Sequence, residues 1–345
     1  MRLSSFTSFL LILALGSVPM HGQSQNVAQG RVTAGQTSAL APSSARAWLL
    51  RIHDAAGRYD FHGTLVVSAG GGVHSAHIVN VCNGDERYER IDALDGQPRQ
   101  IFRQRHVVHT FWPDLRVVQI EQRDDLPDFP ALLQGGADHI AAFYELSRLG
   151  VDRVAGLEAD VLLLAPRDDA RYAHRLWAER KTGLLLRAEI LGAGDEVLES
   201  SAFSELVLGS GLSGKALIKS MPKLDGMRVI RKLAKSVKLE DEGWALRALV
   251  PGFQQVSSVK RPVSVGLQDD ALSRSMLQLV FSDGMTYVSI FIEPIDPSKD
   301  QQPLQTSTGA TQTLMQRQGN WWITVMGDVP VITLQRFYEA LERKR

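Results

Sequence analysis

The chain has one cysteine, Cys82, among 345 residues, so no internal disulfide can form. The fold must stand on packing and hydrogen bonds even in an oxidising compartment. Net charge is absent as well: 38 basic residues balance 38 acidic ones, which excludes a field over the whole molecule that would attract nucleic acid or an anionic membrane. Catalytic motifs are missing. There is no HExxH, and the pairs His74/His77 and His106/His109 stand three apart in expected strands, which sends their side chains to opposite faces. No GxSxG supplies a nucleophile elbow. The glycines after Ala69 precede no helix and lack the setting of a phosphate-binding loop. Acidic pairs at Asp124/Asp125 and Asp168/Asp169 fall in expected turns, where solvation explains them. With no catalytic constellation, no metal site and no cofactor loop, a binding protein is expected rather than an enzyme.

What is present begins with Arg2 and the apolar run LSSFTSFLLILALGSV, too short to span a bilayer and followed by small residues. Residues 1–22 have the layout of a secretory signal peptide. Residues 23–42, dominated by Gln, Ser, Ala, Gly and Thr, are expected to be a flexible leader. Beyond it, Ser43 and Ser44 can cap a helix whose Trp48, Leu49, Ile52 and Ala56 recur at helical spacing.

Phe61 to Gln122 alternates short runs rich in Val, Ile, Thr, Phe and Tyr with turn signals at Asn83-Gly84, Asp95-Gly96 and Pro113-Asp114, the pattern of an antiparallel meander. A segment broken by Pro127 and Pro130 follows, carrying Phe129, Leu132 and Leu133. His139 to Gly150 has the spacing of a second amphipathic helix, and strands resume through Leu208. Sheet on both sides of two helices predicts one large curved antiparallel sheet over 43–208, a half-barrel with helices on its concave face. Residues 209–242 hold eight Lys and Arg against a single acid before Glu240 and are expected as a basic linker, open to an acidic partner. Residues 243–345, with hairpins at Asp283-Gly284 and Gly319-Asn320 and a closing helix, predict a small second α+β domain.

The phrases FHGTLVVS, ERIDALDGQPRQIFR and RVAGLEADVLLLAPRDDARYAHRLWAERKTGLLLRAEIL resemble the RseB/MucB family of periplasmic regulators in the sigma-E envelope-stress response, as do LQLVFSDGMTYVSIFIEP and GNWWITVMGDVPVITLQRF. The resemblance runs from about Ala45 to the C-terminus. It implies a first domain similar to the lipoprotein carriers LolA and LolB, whose apolar cavity senses acyl chains or lipopolysaccharide, and a second domain that grips the periplasmic part of a transmembrane anti-sigma factor. It also implies a periplasmic location, a non-enzymatic role in shielding that factor from site-one proteolysis, and no cofactor. Homo-oligomers and a plain lipid or lipoprotein carrier stay open as alternatives. On this resemblance the cavity or lid residues are Leu65, Val67, Val118, Ile120, Phe129, Leu132 and Leu133. The partner-binding residues are Arg228, Arg231, Lys232, Lys235, Tyr287, Trp321 and Trp322. Alternation along a strand groups the cavity residues but does not say which face is inside.

Overall fold

The chain enters through a two-residue strand, β1 (Ser38–Ala39), and the helix α1 (Pro42–Arg58). In the computed structural model the described residues are 38–84, 86–122, 136–209, 211–232, 234–262, 275–296 and 301–344. Pro42 opens α1 in the first turn, where a missing N–H costs nothing. Ala45, Leu49, Ile52 and Ala55 form its buried stripe.

The meander follows as β2 (Phe61–Ala69), β3 (Gly72–Asn83), β4 (Glu86–Ala93), β5 (Gln100–Gln104), β6 (Val107–Trp112) and β7 (Val117–Gln122). Gly70 and Gly71, at φ of 57° and 80°, make the first hairpin turn in a region closed to most side chains. After α2 (Gly136–Phe143) come β8 (Tyr144–Val154), β9 (Leu157–Pro166), β10 (Ala173–Glu179), β11 (Leu185–Leu191) and β12 (Val197–Leu208). The short helix α3 (Gly214–Lys219) and β13 (Arg228–Lys232) complete a 13-stranded sheet, ordered β1-β8-β9-β10-β11-β12-β2-β3-β4-β5-β6-β7-β13. β12 therefore closes back on β2, joining the two halves of the sequence into one open sheet. The sheet is curved enough that β8 and β12, with three strands between them in that order, come within 8 Å at their Cα atoms.

Two segments differ from expectation. The helix predicted over His139 to Gly150 stops at Phe143, because the chain from Tyr144 onward pairs with β9 along its whole length, Tyr144 opposite Pro166 and Val154 opposite Leu157. Ladder hydrogen bonds and the burial of Tyr144 and Leu146 outweigh the local helical spacing. Within residues 209–242 the chain forms one short helix, α3, and gives one strand to each of the two sheets. Ser213 caps α3 by accepting from the Ala216 N–H at 3.2 Å, and Leu217 packs on Val79, Val81 and Tyr88. β13 then adds to β7 in parallel, the one parallel pair of this sheet.

Two residues separate β13 from the second sheet. β14 (Lys235–Ser236) already belongs to it, followed by β15 (Trp244–Leu246), β16 (Gln254–Pro262), β17 (Ser275–Ser282), β18 (Tyr287–Pro294), β19 (Leu304–Thr308), β20 (Thr311–Gln318) and β21 (Trp321–Gly327). The order is β14-β16-β17-β18-β21-β20-β19, while β15 pairs with β22 (Leu341–Arg343) at the chain end. The last helix, α4 (Val331–Ala340), lays Leu334 and Phe337 into a core with Phe281, Ile290, Ile292 and Val325. Among the described residues no helix is long and apolar enough to cross a membrane.

Candidate functional site

The large sheet presents two faces, and strand register sorts the expected cavity residues between them. Leu65 pairs with Ala76 and Ala76 with Ala93; Ile91, two residues from Ala93, pairs with Ile101, then Thr110, then Gln119. Side chains directly opposite one another share a face, so Leu65, Ile78, Ile91, Ile101 and Gln119 lie on one side. Val118 and Ile120 flank Gln119 and point to the other. Leu65 and Val67 pack with Phe61, Ala55 and Ala56 beneath α1, and are 4% and 6% exposed. Val118 and Ile120 instead join Phe102 and Phe111 under Met221, Met227 and Val229, the segment that runs from α3 into β13. The structure thus brings two of the expected residues together under α1 and separates the other pair by the thickness of the sheet. Phe129, Leu132 and Leu133 lie outside the described residues.

On the α1 face the sheet turns polar beyond the helix. Asn80, fully buried, donates from Nδ2 to the carbonyls of Ala56 at 3.1 Å and Tyr59 at 3.0 Å, closing the last turn of α1. Its Oδ1 accepts from Arg87 Nε at 2.9 Å. Arg87 and Arg103 also flank the buried Glu89, at 2.5 and 3.4 Å, and Gln119 donates to Glu121 at 2.6 Å. Sequence reasoning passed over this row, although Arg87, Glu89 and Ile91 alternate in one strand with the period that places them together.

The expected partner-binding residues divide as well. Arg228, Arg231 and Lys235 are exposed where the chain leaves the first sheet for the second, with Lys232 in the same strand as the two arginines. Tyr287 and Trp322 are 5% and 4% exposed, interior side chains of strands in the middle of the small sheet. That burial leaves no face of either for a partner. Trp321 is half-buried, edge-on to Trp244 at 5.7 Å between ring centroids, and the Arg343 guanidinium lies 5.2 Å from both rings.

The most heavily built site is one the sequence did not single out, the seam between the domains. The β17–β18 turn, Asp283-Gly284, is buried instead of solvated. Asp283 Oδ2 accepts from Arg171 Nε at 2.7 Å and from the Tyr144 hydroxyl at 2.8 Å, while Oδ1 takes the Met285 and Thr286 N–H groups, each at 2.9 Å. Arg171 also binds Asp168 and the Pro251 carbonyl, and its guanidinium lies 4.6 Å from the Phe143 ring centroid and 5.0 Å from that of Phe253. Around this centre, Thr333 donates to the Ala170 carbonyl at 2.8 Å, and Arg336 makes a bidentate pair with Asp169, both contacts 2.7 Å. His139 Nε2 lies 2.7 Å from the Gly252 carbonyl oxygen. Tyr144 is held well above the usual phenol range, first by burial and then by the Asp283 charge. His174, wholly buried beside the Tyr144 ring, is pushed down to about 4 by burial. The signal for the seam in the sequence was the run Arg167 to Tyr172, whose charges looked like those of a solvated turn.

Comparison with known proteins matches both halves in order. The MucB/RseB N-terminal domain model covers residues 44–221 and the MucB/RseB C-terminal domain model residues 238–342. The chain is 27% identical over 300 residues to the sigma factor AlgU regulatory protein MucB of Pseudomonas aeruginosa, covering 84% of this chain and 88% of that one. With the sigma-E factor regulatory protein RseB of Haemophilus influenzae it shares 24% identity over 258 residues, 75% and 78% of the two chains. A solved Pseudomonas aeruginosa MucA/MucB complex superposes with a TM-score of 0.66 at 25% identity, covering 88% of this chain and 99% of that one. A crystal structure of MucB with periplasmic MucA gives 0.64 at 24%, with 87% and 99% covered.

Proposed function

The chain belongs to the MucB/RseB family, and on that premise we propose that it is a periplasmic regulator of a sigma factor, binding the periplasmic region of a transmembrane anti-sigma factor and shielding it from site-one proteolysis. The observation that carries this is the match of both domain models in order, together with the fold shared across 88% of the chain with the MucA/MucB complex. A shield of this kind works by occlusion, since a protease needs an extended, accessible backbone and a bound partner segment offers none. The signal-peptide layout of residues 1–22 supports the periplasmic location.

Arg228, Arg231 and Lys235 support a contact with acidic side chains, because guanidinium and ammonium groups steer and hold carboxylates. Release by acyl chains or lipopolysaccharide belongs to the same proposal, with a physical condition attached. The face around Leu65 and Val67 is filled by its own side chains and by α1, so an acyl chain reaches it by displacing that helix. The same filling leaves the plain carrier alternative without an observation in its favour.

Capture of the purified periplasmic segment of the cognate anti-sigma factor tests the proposal. Binding that protects the segment from the site-one protease is expected, and its loss in an Arg228→Glu/Arg231→Glu variant would assign the basic strand. Two folded proteins that fail to associate would overturn it.

A further inference from the structure

The domains meet a second time, at a pair of carboxyls on which no Lys or Arg among the described residues acts. Glu199 stands in β12 between Ile190 of β11 and Ala69 of β2. Asp328 follows β21 in the small domain. The turn between β19 and β20 presses on the same place: a Cβ at Gly309 would lie 3.0 Å from the Ala69 Cβ and 3.0 Å from the Leu198 carbonyl oxygen. Gly309 has φ of 59° there, so this close approach depends on glycine twice over.

The contact shuts both carboxyls away from water, Glu199 at 2% exposure and Asp328 at 8%. Asp328 Oδ1 accepts from the Thr311 hydroxyl at 2.6 Å, whereas neither carboxyl oxygen of Glu199 has a hydrogen-bond partner. The titratable neighbours do not compensate them. Tyr172, bound by Gln312 at 3.4 Å, is a phenol held above its usual range by burial. His174 sits two strands from Glu199 across Ile190, and burial keeps it neutral. Among the described residues no Lys or Arg acts on either carboxyl. The Arg171–Asp283 centre shows the contrast, since there every buried oxygen of the carboxylate has a donor.

Two adjoining anions that share a single neutral donor, the Thr311 hydroxyl, are not tolerated in such a place, but neutral carboxyls are, because a protonated one supplies the O–H donor that Glu199 lacks. We infer that Glu199 and Asp328 form a proton-binding site between the two domains, which holds this part of the seam closed when loaded and loosens it when emptied. Burial raises both groups above the ordinary carboxyl range, and the charge of Asp328 adds to the rise at Glu199. A state with the carboxyls in water has no such rise, so the closed contact binds protons more tightly than the open one. Closure is complete below the ordinary carboxyl range and is lost as the pH climbs above it, by up to about tenfold per pH unit for each proton released.

Hydrogen–deuterium exchange of the β19–β20 hairpin in the full chain, corrected for the intrinsic pH dependence of exchange, reads this directly. Between pH 5 and pH 8.5 the protection of residues 304–318 is expected to fall at least tenfold in the natural protein. It is expected to stay high throughout in Glu199→Gln/Asp328→Asn, whose side chains imitate the protonated forms. If the double variant does not fold by circular dichroism, Glu199→Gln alone serves, with a reduced slope expected. Protection that ignores pH in the natural protein, or a slope unchanged in the variants, would sink the inference. So would millimolar calcium or magnesium restoring protection at pH 8.5, since the site would then be one for a divalent cation.

Discussion

Arg171 and Asp283, 112 residues apart, meet at 2.7 Å with neither side chain exposed, and between them they hold the loop after β9 against a hairpin turn of the other domain. A buried ion pair is costly to assemble and costlier to break, because removing one partner strands the other's charge in a poorly solvated place.

Asp283→Ala is accordingly expected to destabilise the folded chain by about 3–5 kcal/mol. Arg171→Met/Asp283→Leu should cost less than either single change, since no fully buried charge is left unpaired and Asp168, which loses Arg171, is partly open to water. Denaturant unfolding of the four proteins, treated as a double-mutant cycle, measures the difference; equal costs for single and double variants would contradict the account.

Gly252 is the second sensitive point of the seam. It has φ of 84°, and a Cβ there would stand 2.9 Å from the Phe143 ring and press on the Arg171 guanidinium. Gly252→Ala is therefore expected to loosen the contact between the domains while leaving the core around Phe337 intact. An increased radius of gyration in small-angle scattering, with near-native circular dichroism, is the expected signature.

Asn80→Leu keeps roughly the size of the side chain but removes two donors to the end of α1 and an acceptor for Arg87. Leaving those groups unsatisfied is expected to cost about 1–3 kcal/mol. Thermal unfolding reads the loss, and exchange at residues 52–59 should rise first.

His174 sets a pH dependence of the opposite sign to the carboxyl pair. Its folded value is lowered to about 4, so the unfolded chain takes up the proton first as the pH falls. Its contribution is present above the ordinary imidazole range, near 6.5, and is lost progressively from there toward pH 4, by about 3 kcal/mol in all. His174→Leu should flatten the acid limb of a stability-against-pH curve. Global unfolding carries both contributions with opposite signs, so the difference between His174→Leu and the natural protein isolates His174, while local exchange at the hairpin reports Glu199 and Asp328.

Much of the architecture was legible beforehand because period-two alternation and turn chemistry act over a few residues. The meander from Phe61, the hairpin from Arg175 to Glu189 and the closing helix all follow from such local signals, as do Leu49 and Ile52 of the α1 stripe. Failures occurred where a distant partner overrode a local pattern. Tyr144 to Gly150 carries helical spacing yet lies in β8, because β9 was available to pair with it. Tyr287 and Trp322, expected among the partner-binding aromatics, are buried, since their strands are central ones.

By itself, the sequence determined most of the elements and their order, the absence of a disulfide and the resemblance that the family models bear out, because each rests on composition or on residues close in the chain. The tertiary structure decided which face each side chain joins. Register placed Leu65 under α1 and Val118 on the far side of the same sheet, and it turned an Asp-Gly turn and a charged loop into one buried ion pair. Such pairings depend on how distant segments meet, and no local spacing records that.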